Sequence, residues 1–321
     1  MRRSTAAAML LAAAACACAP ATPVTIVAGQ VDPEIVREVA SESAATNCNL
    51  HKRGSMPLTV AGLPMVPAQI NGRPATLILD TGAESTLLTA GAAKRLGVTT
   101  KYDFQRSMAG IGATVRTGDA RLSSMSIGGV ALDYPRVLVG ELSFKFGDVE
   151  PDGLLGASLL GAFDLDIDVP RGRLDLYDRL DCPDARPPWT GRYATLETTR
   201  SLSEHPFFPI TVNGHRLSAT LDTGAQRTVI SAAAAASAGI GADSQLAGPQ
   251  IRTRGAAGEV VPAKLHALRD ARIGGIALRT PVLVVPASLP RDIDALLGLD
   301  FLLSNRVWLS YGSRRIFIQP E

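Results

Sequence analysis

The chain has 321 residues, enough for two domains that each bury a core of their own. Hydrophobic residues make up 46% and charged residues 19%, a balance that excludes an intrinsically disordered chain. The formal net charge is +2, with no basic block, which argues against nucleic acid as a partner.

Residues 1–19 begin with Arg2 and Arg3 and continue as an Ala-rich apolar run. A positive start, a short apolar stretch and small residues at its end are the layout of a secretory signal peptide, too short for a membrane span. Export to the periplasm is therefore expected. Cys16 and Cys18 lie near the expected cleavage point and are candidate lipidation sites for a membrane anchor. Ala13 to Ala15 stand where a lipoprotein motif prefers a leading Leu, so the pattern leaves that anchor open. Residues 20–56 read as a lead-in segment, with a short helix expected over 34–45. Cys48 and Cys182, the two cysteines left in the mature chain, lie at the two ends of the next unit. In an oxidising compartment they are a disulfide candidate.

The first unit spans 57–181. Apolar runs at 66–70 and 75–79 flank Asn71-Gly72, the strongest short signal for a tight β-hairpin. Asp80-Thr81-Gly82-Ala83 follows, then an apolar run and an Ala-rich stretch ending in Gly97, which reads as a short helix over 89–97. Strands are expected over 120–127 and 130–139. The run Asp-Gly-Leu-Leu-Gly occupies 152–156, 72 residues after Asp80 (80 to 152). A helical turn at 157–163 and a hairpin over 164–177 close the unit. Residues 182–205, with Pro183, Pro187 and Pro188, have the composition of a linker.

The second unit, 206–321, repeats the first at an offset of 142 (80 to 222). Asn213-Gly214 matches Asn71-Gly72, Asp222-Thr223-Gly224-Ala225 matches the run at Asp80, and Asp294-Ala-Leu-Leu-Gly298 closes it. The register slips by four at Ile273-Gly-Gly275 and is restored before Gly298, as loops of two copies of one fold drift. A helix over 231–239, strands over 263–273 and 276–285, a turn at 299–303 and a hairpin over 306–319 complete the copy. Two such units make a mainly β protein of two tandem small barrels, each with one or two short helices.

One Asp-Thr-Gly decides nothing; two with matched partners describe a pair of carboxylates on Gly turns. Hydrolysis of a peptide without a metal or a nucleophilic side chain needs a base for the water and an acid for the leaving amine. Two close carboxylates supply both, because they cannot both ionise and so share a proton. Asp80 and Asp222 are the catalytic candidates. Gly82 and Gly224 allow the tight turn and close approach. Thr81 and Thr223 can hydrogen-bond across the two loops. The bland alternative is two ordinary Asp-Gly turns ending strands. Asp164, Asp166 and Asp168 resemble a calcium loop, but Val169-Pro170 follows where a Gly is required, and the second copy has Arg306, Trp308 and Ser310. They read as the polar face of a strand. Four histidines lack metal-ligand spacing, so no metal or cofactor is implied.

With these motifs the chain resembles a retropepsin-like aspartic protease of the bacterial exported type, with two units on one polypeptide. The resemblance covers about 57–180 and 206–321. It implies a pseudo-twofold pair of units within one monomeric chain, a peptide or protein substrate, and Leu-Leu-Gly elements packed behind the catalytic loops. It also implies hairpin flaps over the cleft, for which Gly110 and Gly112, and Gly255 and Gly258, are the candidates. Departures are the unequal halves, Gln226 and Arg227 after the second motif, and flaps without the Tyr of pepsin-like enzymes. Ala83 and Ala225 stand where pepsin-like enzymes commonly carry a Ser or Thr that favours the charged carboxylate, which implies a proton held to higher pH. Two rival readings remain at this point: a non-catalytic peptide-binding pseudoprotease or envelope scaffold, and units that pair between chains.

Overall fold

The computed structural model describes residues 37–39 and 48–321, apart from 110–113, 134, 143, 180–181, 183, 201–204, 241–246, 255–259, 269, 280, 286–288 and 290–292. Each half is built on a ten-stranded sheet, and the two sheets have the same topology. In the first half the strand order is Val130–Ala131, Met125–Ile127, Leu63–Ile70, Arg73–Leu79, Gly153–Leu155, Leu87–Thr89, Arg136–Gly140, Thr114–Arg121 and Thr100–Ala109, with Thr59–Ala61 added against Leu63–Ile70. The second half repeats that order from Ile276–Ala277 to Ala247–Arg254. The mainly β, tandem architecture expected from the repeat is the one observed.

Local chemistry explains the recurring corners. Asn71 and Gly72 both have positive φ (51° and 73°), as do Asn213 and Gly214 (49° and 81°), the backbone of a two-residue hairpin turn whose twist matches its strands. Asn also ties the turn down: Asn71 Nδ2 donates to the Leu96 carbonyl at 3.2 Å, and Asn213 Nδ2 to that of Ala238 at 2.9 Å. Helices Ala90–Arg95 and Ala232–Ser237 begin at Thr89 and Ser231, whose hydroxyls accept the N–H groups of Ala92 and Ala234. The chain leaves them at Gly97 and Gly239, with φ of 67° and 69°.

A third sheet joins the halves, in the order Arg37–Val39, Tyr193–Glu197, Arg315–Pro320, Asn305–Ser310, Phe163–Asp168, Arg173–Asp178 and Lys52–Pro57. Its middle pair is Phe163–Asp168 against Asn305–Ser310, one strand from each half, with Asp166 opposite Trp308. These two residues are repeat mates (166 to 308), so the pseudo-twofold axis passes between them. Leu165, Ile167, Leu174 and Leu176 join Val307, Leu309, Ile316 and Ile318 in one core that runs through both halves. The opposite face is covered by Tyr177, Trp189, Tyr193, Trp308 and Phe317.

Two stretches differ from expectation. Within 34–45 the described residues are the strand Arg37–Val39, antiparallel to Tyr193–Thr195, and not a helix. The open edge of Tyr193–Glu197 offers backbone partners at once, whereas a helix this short must first form a costly nucleus. Residues 182–205 also do more than connect. Ala185 and Trp189 are buried, Tyr193–Glu197 is a sheet strand, and Thr199–Arg200 pairs with Pro206–Val212. Tyr193 packs into the aromatic cluster on one face of the joining sheet and Leu196 into the aliphatic core on the other, burying a segment that the prolines alone would leave as linker. Cys48 and Cys182 form a disulfide with a Cα–Cα distance of 6.4 Å, fastening this strap to the start of the first unit. Cys16 and Cys18 lie outside the described residues, as does the whole signal-peptide stretch. No described helix is long and apolar enough to cross a membrane.

Candidate active site

Asp80 and Asp222 each sit one residue past the end of a strand, Arg73–Leu79 and His215–Leu221. The Leu-Leu-Gly strands Gly153–Leu155 and Ala295–Leu297 run parallel to them, and their last carbonyls accept the aspartate N–H groups: Leu155 from Asp80 at 3.0 Å, Leu297 from Asp222 at 2.9 Å. That contact explains the fixed spacing between the two motifs in each copy. Gly156 and Gly298 then pass directly behind the loops. A Cβ on Gly156 would lie 2.6 Å from the Ser85 carbonyl oxygen, and one on Gly298 the same distance from that of Arg227.

The two loops meet across the axis. Thr81 N–H donates to Thr223 Oγ1 at 2.9 Å and Thr223 N–H to Thr81 Oγ1 at 3.1 Å. Each hydroxyl donates onward to the strand before the other loop, Thr81 to the Leu221 carbonyl at 2.8 Å and Thr223 to the Leu79 carbonyl at 2.5 Å. Both threonines are buried, so four bonds in a dry setting lock the loops together.

Held this way, each carboxyl group lies against the glycine of the opposite loop. A Cβ on Gly224 would stand 2.5 Å from the Asp80 carboxyl carbon, and one on Gly82 would run into the Asp222 carboxyl group. Asp80 Oδ1 accepts the N–H groups of Gly82 at 3.0 Å and Ala83 at 2.9 Å, and Asp222 Oδ1 that of Gly224 at 3.0 Å. Each carboxyl group is thus set at the opposite loop, beside the other acid. Burial first, and then the Asp222 charge, push the Asp80 carboxyl far above the usual carboxylate range, against the pull of the Ala83 and Gly82 N–H groups. One proton held between two such groups leaves an acid and a base side by side.

A second set of residues anchors the loops from behind. Buried Thr86 and Thr228 accept the N–H groups of Gly156 at 3.1 Å and Gly298 at 3.3 Å. In the first half Ser158 Oγ accepts the Thr86 N–H at 2.9 Å. In the second half its repeat mate Asp300 accepts both the N–H and the hydroxyl of Thr228 at 2.8 Å. Burial raises the Asp300 carboxyl above its ordinary value. Asp152 and Asp294 open the two Leu-Leu-Gly motifs and accept the N–H groups of Thr76 at 2.9 Å and Ser218 at 2.8 Å. In the sequence both aspartates stand out only as part of a spacing. Their presence in both copies was the available signal.

The flap candidates Gly110, Gly112, Gly255 and Gly258 lie outside the described residues. The strands leading to them do pair, with Ala109 opposite Thr114 and Arg254 opposite Val260. Among the described residues no cluster of His, Cys, Asp or Glu could hold a metal ion. Asp164, Asp166 and Asp168 are engaged instead by Ser310, Arg306, Arg171 and Trp189.

Paired β units with two aspartate loops joined across a pseudo-twofold axis define an aspartic-protease-like protein. An aspartyl protease family model matches residues 66–159 and again 208–301, more than half of the chain, and the chain belongs to that family as a tandem of two retropepsin-like units. Among solved structures it is similar to an EIAV protease complexed with the inhibitor HBY-793, at 25% identity over 31% of this chain and 86% of that one, with a TM-score of 0.26. No curated protein matches the chain.

Proposed function

We propose that the chain is an aspartic endopeptidase with one site, formed by Asp80 and Asp222. The observation that carries this reading is the reciprocal contact of each carboxyl group with the opposite glycine, which brings the two acids to one site, where the Asp222 charge helps raise the Asp80 carboxyl. A water between them loses its proton to the ionised carboxylate as its oxygen attacks the peptide carbonyl. The protonated carboxyl donates to the carbonyl oxygen as it gains negative charge. Collapse of the tetrahedral adduct breaks the C–N bond: the leaving nitrogen takes a proton from one carboxyl group while a hydroxyl of the adduct returns its proton to the other, so the pair ends with one proton as it began. Export to the periplasm goes with this reading, supported by the N-terminal pattern and by a disulfide that persists in an oxidising compartment.

The test is incubation of the purified mature protein with a peptide library across pH, with and without pepstatin. Cleavage that pepstatin blocks is expected. Peptide binding without cleavage at any pH would instead identify a scaffold that kept the fold.

A further inference from the structure

The two strands at the middle of the joining sheet are repeat mates, yet their polar faces have diverged. Asp164, Asp166 and Asp168 correspond to Arg306, Trp308 and Ser310 (164 to 306, an offset of 142). Their apolar faces are alike: Leu165 and Ile167 on one strand, Val307 and Leu309 on the other. Discrimination between halves at this pair therefore rests on the polar face.

There the two strands are complementary. Ser310 Oγ donates to Asp164 at 2.6 Å, joined by the Gly312 N–H at 3.1 Å. Arg306 donates to both oxygens of Asp166, at 2.9 and 2.6 Å, and its Nε stands 3.5 Å from Asp168. Arg171 and Arg173 also approach Asp168 from the following turn and strand. All three aspartates are at most 1% exposed. Trp189 closes the site by donating Nε1 to Asp166 at 3.1 Å, with its ring 4.8 Å from the Arg306 guanidinium carbon.

Like halves would not fit. Two first-half strands in this register would set Asp166 against a second Asp166, and Asp164 against Asp168, with no Arg306 between them; Asp168 would keep Arg171 and Arg173 of its own half, but the paired Asp166 carboxyl groups would lose their guanidinium. Two second-half strands would set Trp308 against Trp308 and leave both Arg306 side chains without a carboxylate. Buried charges without partners are among the costliest faults a fold can carry, whereas a satisfied pair is nearly neutral against an apolar one. Such a face discriminates far more than it stabilises.

We infer that this face is a pairing code: it directs each first half to a second half and excludes the union of like halves. The partner it fits is the strand Asn305–Ser310, and the covalent connection makes the copy in the same chain the one met first. The code thus limits association to unlike halves, and the covalent connection, rather than the code, favours the closed pair within one chain over exchange with a neighbour. It holds whether or not Asp80 and Asp222 perform catalysis.

The test uses full-length variants and no activity assay. Arg306→Asp and Asp166→Arg, made singly, are each expected to lower the thermal midpoint by about 10 °C or more, since each strands buried like charges. The two changes in one chain should recover at least half of that loss. A packing role alone would add the two losses. Refolding the two single variants together should yield a 1:1 dimer by sedimentation, the first half of each chain taking the second half of the other, while each variant alone forms none. A double variant no more stable than the singles, or a mixture that stays monomeric, overturns the inference.

Discussion

Gly224 lies so close to Asp80 that a Cβ there would sit 2.5 Å from the carboxyl carbon. The absence of a side chain is what lets the two acids share one site. Gly224→Ala must push the carboxyl groups apart or spread the loops. Overpacking of this kind costs about 1–3 kcal/mol of stability. Misplacement of the pair should cost on the order of a hundred-fold in kcat or more. Thermal unfolding and steady-state kinetics on one preparation separate the two effects, and a variant of normal activity would contradict the geometry.

Asp80→Asn and Asp222→Asn keep the shape of the pair and remove its shared proton. Each should reduce kcat by on the order of a thousand-fold with the fold intact by circular dichroism. Every chain in a mixture of the two variants has one broken partner, so no activity should return. Recovery on mixing would mean that sites form between chains.

The raised Asp80 carboxyl sets an expectation for pH. Burial and the neighbouring Asp222 hold the proton well above the usual carboxylate range. The rate should therefore peak in the weakly acidic to neutral region, and a pH-rate profile with its maximum below the ordinary range of an aspartic acid would overturn this.

Asp164 makes stability depend on pH. Burial lifts its carboxyl from 3.8 to about 6, against the pull of Ser310, the Gly312 and Tyr311 N–H groups and the Arg179 charge. A group whose folded pKa is raised contributes its full stability below the unfolded value and loses it as pH rises through the folded one. The loss between pH 4 and pH 6 is on the order of 3 kcal/mol. Denaturant titrations of wild type and Asp164→Asn across this window should differ in slope, with the variant flatter. Parallel curves would remove Asp164 from the account.

The disulfide between Cys48 and Cys182 closes a loop of 134 residues. Its contribution is about 4–5 kcal/mol on the chain-entropy model, and measured bridges often give less. Reduction should expose two thiols, lower the unfolding midpoint and loosen the strap that carries Trp189. The chain has two tryptophans, Trp189 and Trp308, and both lie in the aromatic cluster over the joining sheet. A red shift in fluorescence before global unfolding is the expected sign, and two free thiols in unreduced mature protein would rule the bridge out.

Much of this protein was legible in its sequence because duplication writes the same constraint twice. The Asn-Gly turns, the helix caps, the Asp-Thr-Gly loops and their Leu-Leu-Gly partners are local, and each depends on residue types at short spacing. Other features are decided only when distant segments meet. The prolines of 182–205 suggested a linker, but Trp189, Tyr193 and Leu196 find a sheet to cover, so the segment becomes a strap. The stretch 34–45 held helix-forming residues, and a free strand edge took three of them instead. Asp164, Asp166 and Asp168 spelled an alternating polar face, whose meaning depends on which strand lies opposite. By itself the sequence determined that two like units exist and that each presents one carboxylate on a glycine turn. Only the tertiary structure decided that each carboxyl group meets the glycine of the opposite loop and that unlike faces meet at the axis, because side-chain contact across 142 residues is set by packing and not by local preference.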